Sequence, residues 1–330
     1  MALLETDDRR WKHRQPITFP GYSVRHGGGA DRPNRASSNE SDADGQVPPS
    51  LLQWTPLAGT ALLDRIRITG RPRPAADPNR VEALRRIIDD GIESCLTPVA
   101  VSGADRRRLV VTHAALSRAL DRRSGRSDGS IAGRRELTVP IACGALVGVL
   151  FRQLLTTGSF GDPWVDGLGA LAVDDRQQEL VAWIHRLPAG ERDGLAAEVR
   201  RQAAGLARRW PDLDAAWLPR TDEPIRTVLS DGAVELSARV DLAIGRPGLD
   251  VASVALVAIT SGSRRPAHRD DLHFSALVET LRRPAPPFAV ATYYSRTGEL
   301  DVDPVSDELL IAAAERTAAG ISAMVRQEEP

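Results

Sequence analysis

A change in hydrophobic period near Glu223 is the feature that most constrains how this chain can fold. Upstream of it, apolar residues recur every three or four positions, as they do in amphipathic helices. Downstream, three short runs rich in β-branched residues follow one another, at residues 225–229, 233–244 and 251–259. Ser-Asp-Gly at 230–232 and Gly-Arg-Pro-Gly at 245–248 separate the runs and have the composition of hairpin turns. The sequence therefore predicts a three-strand meander attached to helices, in an α/β fold.

The other elements follow from the same periodicities. Helices are predicted at residues 78–94, 114–122, 141–155, 176–186, 191–209, 268–281 and 306–325, and further strands at 108–112 and 288–294. Ser306 is the predicted N-cap of the last helix. The prediction divides the chain into a disordered leader over 1–50, a helical extension over 51–140 and an α/β domain over 141–330.

Charge and composition limit the chemistry that this chain can perform. The formal net charge is -1, so the protein as a whole carries no basic field that would attract nucleic acid or a membrane. Lys12 is the only lysine, and it lies in the predicted leader, which nearly excludes lysine phosphate clamps, Schiff bases and lysine general bases. Cys95 and Cys143 are too few for a disulfide framework or a thiolate zinc site.

Three short motifs occur in an order that resembles one enzyme superfamily. They are Ala-Arg-Val-Asp-Leu at 238–242, Leu-Val-Ala-Ile-Thr-Ser-Gly at 256–262 and the predicted helical segment at 268–277. Together with the order of elements, these motifs resemble the RecB-like branch of the PD-(D/E)XK nuclease superfamily over about residues 141–325. The resemblance implies a restriction-endonuclease-like core of a helix, a three-strand meander, a helix and a fourth strand.

The resemblance also implies a metal site that this sequence has largely lost. In such a site two carboxylates on neighbouring strands hold a divalent cation, and a lysine two residues from the second acid acts on the attacking water. Asp241 keeps the first carboxylate, whereas Ala258 and Thr260 occupy the positions of the second acid and the lysine, and Arg152 replaces a metal-binding histidine. We therefore expect no metal or other cofactor, unless Asp241 retains one. We also expect Asp241 and Thr260 to approach each other on one face of the sheet, although an ion pair with Arg239 would explain Asp241 equally well.

Arginine clusters are the remaining signal for a partner. Residues 105–135 hold nine arginines against three aspartates, and three more arginines follow the second motif. Guanidinium groups bind phosphates well, although a solvated surface explains the same clusters. The arginines expected to contact nucleic acid are Arg106, Arg107, Arg108, Arg264, Arg265 and Arg269. Such binding would be weak and independent of base sequence.

These features favour a catalytically degenerate nuclease-like protein that acts as a non-catalytic DNA-binding or partner-binding module. The alternative is an active nuclease, using Mg²⁺, whose acid has migrated to Glu235 or Glu279 and in which Arg264 replaces the lysine. A third hypothesis is a protein-interaction module that uses the Ala-rich C-terminal helix. Two or more carboxylates converging on Asp241 would favour the enzyme.

The sequence also predicts where the protein resides. Its first residues lack the basic and apolar segments of a secretory signal, and no run approaches the ~18 apolar residues of a membrane span. We therefore expect a cytoplasmic protein without a membrane partner.

Overall fold

The structure is a computed structural model that describes residues 59–67, 72–93, 108–123 and 136–326. All of these residues belong to one compact unit, Trp54–Pro330. The predicted leader, residues 124–135 and four residues named above lie outside the described residues: Lys12, Cys95, Arg106 and Arg107.

The described residues form nine α-helices and six strands. The helices are α1 (Gly59–Arg67), α2 (Pro78–Glu93), α3 (His113–Arg123), α4 (Val139–Thr157), α5 (Pro163–Val173), α6 (Gln178–Arg186), α7 (Ala189–Arg209), α8 (Pro266–Arg282) and α9 (Asp307–Val325). The strands are β1 (Leu109–Val111), β2 (Arg220–Leu229), β3 (Val234–Ile244), β4 (Ala255–Thr260), β5 (Ala289–Tyr294) and β6 (Glu299–Pro304). The fold class is α/β, as predicted.

The six strands form one mixed sheet. Its order is β1-β3-β4-β5-β6, and β2 pairs with the other edge of β3. The pairs β2–β3 and β3–β4 are antiparallel, which confirms the predicted meander. β5 runs parallel to β4, with α8 as the connection between them, and β6 is antiparallel to β5. β1 pairs in parallel with the first residues of β3.

Helices cover both faces of the sheet because its strands send alternate side chains to opposite sides. In β4, for example, Leu256 packs in the core formed with α2, α3, α8 and α9, whereas Val257 packs in the core formed with α1 and α4–α7. The C-terminal helix α9 begins as predicted, with the Ser306 hydroxyl accepting a hydrogen bond from the Leu309 N–H at 3.3 Å.

Three differences from the sequence-based elements have local causes. The third strand starts at Ala255 rather than at residue 251, because residues 250–252 make backbone hydrogen bonds with residues 74–76 ahead of α2. β6 was not predicted because half of its six residues are acidic. Neither α1 nor α5 was predicted; α5 contains two glycines that interrupt its apolar pattern.

The helix α4 bears on the expectation that no segment of the chain could span a membrane. Within the described residues, Val139–Thr157 is long and apolar enough to cross a bilayer by length and composition alone, which the sequence analysis did not anticipate. The core helix of a soluble protein passes the same test, and α4 contributes seven buried residues to the structure, Phe151 among them. The arrangement is compatible with a soluble protein.

Candidate functional site

The sheet divides at β3, and the chemistry-bearing residues gather at this division. Along one edge, β3 pairs with β1 through residues 234–236 and with β4 through residues 242–244. Residues 237–241 lie between these two ladders. We call this opening the fork. Unpaired backbone groups in such an opening need other partners, so side chains there are expected to bond to backbone.

Asp241 provides one of these bonds. Its carboxylate Oδ2 accepts a hydrogen bond from the Ile259 N–H at 2.7 Å, just beyond the last paired residues of β3 and β4. Burial raises the pKa of Asp241 to about 6, although the Ile259 N–H and Arg152 act to lower it. A carboxyl group in this state changes its charge near neutral pH.

A second carboxylate lies beside Asp241 because of strand register. Thr221 pairs with Leu242 and Glu223 with Val240, which places Asp222 opposite Asp241. Asp222 has a left-handed backbone, with φ of 57°, which an aspartate tolerates better than most residues.

Two arginines form ion pairs with the Asp222 carboxylate. Arg152 of α4 approaches it at 3.1 Å, and the Arg239 guanidinium donates to both of its oxygens at 2.8 Å. Arg239 therefore pairs with Asp222, whereas the sequence analysis had weighed an ion pair between Arg239 and Asp241. Asp222 holds the Arg152 guanidinium close enough to Asp241 to lower its pKa.

A third carboxylate reaches the fork from α8. Asp271 acts to raise the pKa of Asp241, as Asp222 does, because like charges disfavour ionisation. Asp271 is itself 3.3 Å from the Nδ1 of His113, the first residue of α3. Burial lowers the pKa of His113, although the Asp271 carboxylate acts to raise it. Among the described residues, no group of three or more acidic, histidine or cysteine side chains has the geometry to hold a metal ion.

The fork brings together some of the predicted site residues. Continuing the register of β3 and β4 places Ala258 opposite Asp241, and alternation puts Thr260 on the same face as Ala258. Asp241 instead accepts its hydrogen bond from the N–H of Ile259, the residue between them. The Thr260 hydroxyl instead accepts from the Gly262 N–H at 3.2 Å.

The predicted phosphate-binding arginines separate into two places. Arg264, Arg265 and Arg269 line a groove of about 530 Å³ beside β5, β6 and the first turns of α8, which we call the groove. Arg108 lies elsewhere, beside the start of β3, where it donates to the Gly232 carbonyl at 3.1 Å and approaches Glu235 at 3.2 Å.

Aspartates of β6 engage two of the groove arginines. Arg264 bonds to Asp301, and Arg269 bonds to both oxygens of Asp303 at 2.6 Å. His273 lies 3.2 Å from the same Asp303 carboxylate. Burial acts to raise the pKa of Asp303, but the hydrogen bonds from Arg269 and His273 outweigh burial, so its pKa lies below the usual value.

The two acids proposed as migrated ligands do not reach Asp241, which corrects that part of the alternative. Glu235 lies six residues away on β3, a separation of roughly 20 Å along a strand, and it pairs with Arg108 and Arg226. Glu279 is buried two turns beyond Asp271 and pairs with arginines at positions 282 and 283. Asp222 and Asp271 are the acids that approach Asp241, and the sequence analysis missed both.

Comparisons with known proteins add little to this geometry. No family model matches the sequence, and no curated protein matches it. A solved structure titled "Crystal structure of SSO0001" aligns with 66% of this chain and 86% of its own, at 11% sequence identity and a TM-score of 0.22. A likeness at that level carries no argument about fold or function.

Proposed function

We propose that this protein is a non-catalytic, cytoplasmic DNA-binding module, built on a core that resembles a PD-(D/E)XK nuclease of the RecB-like branch and has lost its catalytic centre. The order of elements supports this core. α7 precedes the meander of β2, β3 and β4, and α8 and β5 follow it. The resemblance implies the same sequence of helix, meander, helix and strand.

The main support for a loss of catalysis is that the carboxylates of the fork already have hydrogen-bond or ion-pair partners. A metal centre needs carboxylate oxygens that are open to the cation. The Asp241 carboxylate accepts a backbone hydrogen bond, and Asp222 is paired with two arginines. Arg152 places a positive charge beside Asp241, and a cation would be repelled there by ~1–4 kcal/mol at contact distance. The acids of the fork are therefore arranged around the Arg152 guanidinium, in the place where a metal ion would need them.

The groove supplies the proposed contact with DNA. Three arginines and two aspartates of its lining leave a surplus of one positive charge. Phosphates would have to compete with Asp301 and Asp303 for the guanidinium groups, so binding is expected to be weak and sensitive to salt. Contacts to phosphate would carry no sequence preference.

A salt titration of duplex binding tests this proposal. Arg264→Ala together with Arg269→Ala should make the slope of log K against log salt shallower by about 2, since each lost phosphate contact changes it by roughly 0.9. Arg186→Ala, on the exposed end of α6, is the matched control and should leave the slope unchanged. An unchanged slope in the double variant, or no binding at ~50 mM salt, would reject the DNA-binding module and favour a protein-interaction module.

A metal-dependent nuclease is the second candidate, and a specific observation favours it. Asp222 and Asp271 both approach Asp241, which is the convergence of carboxylates expected of an enzyme. The two candidates differ in a cleavage assay with Mg²⁺ or Mn²⁺. Under the proposed function, wild type and Asp241→Ala give the same background. Metal-dependent cleavage by the wild type that is lost in Asp241→Ala would establish the nuclease.

A further inference from the structure

A larger cleft lies next to the fork and shares Ile259 and Thr260 with it. It has a volume of about 1070 Å³ and is bounded by the first turn of α4, the turn that leads into α6, one face of α7, and the segment between β4 and α8. Arg265 lines both this cleft and the groove, on either side of that segment. Asp241 itself does not line the cleft.

Basic side chains from three separate parts of the chain converge on this cleft. Arg176 comes from the turn before α6, Arg265 from the residue that precedes α8, and Arg296 from the turn after β5. Among the described residues, Arg176 and Arg265 form no ion pair, and Arg296 lies 3.7 Å from Glu198. Two guanidinium groups are therefore available to an anionic ligand.

The acids of the cleft do not cancel this charge. Glu198 is shared by Arg296, by Arg201 and by the Gln202 amide, which donates to it at 2.7 Å. Glu179 is the other acid in the lining. Three arginines against two glutamates leave the lining with a surplus of one positive charge, and Arg201 adds a second next to it.

Backbone groups reinforce the preference for an anion. The first turn of α4 borders the cleft, and its N-cap residue, Thr138, makes no side-chain capping hydrogen bond. The first N–H groups of a helix have no partner within the helix and carry partial positive charge. The hydroxyls of Ser261 and Ser263 are further donors in the same lining.

One wall of the cleft is apolar and lies beside this anion-binding region. It is formed by Leu137, Val139, Ile141 and Ile259. The volume far exceeds that of a single phosphate and lies at the upper end of ordinary small-molecule sites. An organic phosphate with a planar or apolar body fits both parts of the lining.

We propose that this cleft binds the 5′-phosphate and base of a nucleotide, either as a free mononucleotide or at the end of a single nucleic-acid strand. Arg176 and Arg265 hold the phosphate, Arg296 adds positive charge to the same lining, and the apolar wall contacts the base. The inference goes beyond the proposed function, because it concerns a second site and does not require that the groove bind duplex DNA.

Calorimetry with two pairs of probes tests the proposal on the full-length protein. The first pair is AMP and adenosine, and the second is a short single-stranded oligonucleotide with either a 5′-phosphate or a 5′-hydroxyl. At least one phosphorylated probe should bind more than tenfold tighter than its unphosphorylated counterpart. Binding of AMP would identify a mononucleotide as sufficient, whereas binding of the phosphorylated oligonucleotide alone would identify a strand end.

Variants separate the cleft from the groove. Arg176→Ala together with Arg296→Ala, which line the cleft alone, should weaken binding of the phosphorylated probe more than tenfold and leave duplex binding intact. Ser263→Trp, which fills the cleft without changing its charge, should do the same. Arg264→Ala together with Arg269→Ala should have the reverse effect, and Arg186→Ala should affect neither ligand.

Three results would overturn the proposal. They are equal affinity for phosphorylated and unphosphorylated probes, binding that survives both the double arginine variant and Ser263→Trp, and a loss in Arg186→Ala as large as that in the cleft variant. If the wild type binds no nucleotide and the groove variant loses duplex binding, the nucleotide site in the cleft is rejected and the proposed DNA-binding function stands.

Discussion

The fork and the groove lie along the same sheet, and in each an aspartate meets an arginine, yet the two aspartates respond in opposite ways. Burial raises the pKa of Asp241 to about 6, even with Arg152 nearby. Burial also acts to raise the pKa of Asp303, but direct hydrogen bonds from Arg269 and His273 lower it below its usual value. In the fork, Asp222 and not Asp241 receives the guanidinium bonds.

The difference shows that a nearby cation does not by itself keep a carboxylate ionised. Asp303 has two charge-assisted or polar side-chain donors in contact, whereas Asp241 has one backbone donor and two other aspartates acting against it. The groove thus holds a stable ion pair, and the fork holds a carboxyl group that titrates close to neutrality.

The largest expected effect is on the pH dependence of stability. A folded-state pKa raised from 3.8 to about 6 means that the contribution of Asp241 is present below pH 4 and is lost as the pH rises through 6, by about 3 kcal/mol in all. Asp241→Asn keeps an oxygen acceptor for the Ile259 N–H and carries no charge. Urea unfolding between pH 4 and 8 should show the variant gaining on the wild type by about 1–3 kcal/mol at the upper end.

Asp241→Ala is the matched control for this experiment. It removes the acceptor together with the charge, so it should be less stable than Asp241→Asn by about 1–2 kcal/mol at every pH. Parallel stability curves for the wild type and Asp241→Asn would show that the carboxyl titrates at an ordinary pKa, and the contrast with the groove would disappear.

In the groove, replacing an aspartate should change the free energy of unfolding less than in the fork, and in the opposite direction. Since the pKa of Asp303 is lowered, its contribution is present above the unfolded-state value near 4 and is lost as the pH falls. Asp303→Asn should therefore reduce the free energy of unfolding by about 1 kcal/mol at pH 7, and by less near pH 3. Asp301→Asn, at the more exposed ion pair, should have a weaker effect. A penalty for Asp303→Asn that grows towards low pH would contradict the assignment.

The smallest expected effect concerns Arg152. Replacing it with methionine removes a charge that lowers the pKa of Asp241, so this pKa should rise by up to about one unit. Carboxyl NMR titration measures the shift directly. Arg239→Met, which removes the other partner of Asp222, should change the Asp241 pKa less. A fall in the pKa on removing Arg152 would mean that its charge does not act on Asp241.

The sequence predicts the strands of the meander, the helices around them and the cap at Ser306, because local periodicity and capping chemistry determine these elements. It also marks Asp241 and the replaced positions Ala258 and Thr260. The proximity of Asp222 was within reach of the same reasoning: a turn at 230–232 that pairs Leu229 with Val234 fixes the register along the whole hairpin.

Other parts of the site depend on packing that no local pattern encodes. The position of Asp271 beside the fork depends on how α8 packs on the sheet. His113 lies next to Asp271 because β1 pairs in parallel with β3, more than one hundred residues further along the chain. The ion pairs of Arg264 and Arg269 follow from β6, whose alternation of Leu300 and Val302 with acids was the available signal.

The fork also leaves part of a strand edge open inside the sheet. A strand that loses its neighbour halfway along presents bare backbone donors, and such an edge can recruit a strand from another molecule. Among the described residues, the end of β4 pairs with β5 on one side and with no strand on the other, and the Asp241 carboxylate accepts a hydrogen bond from the Ile259 N–H there. An inward-pointing acid at an open edge disfavours the addition of a foreign strand, and Asp241 occupies such a position.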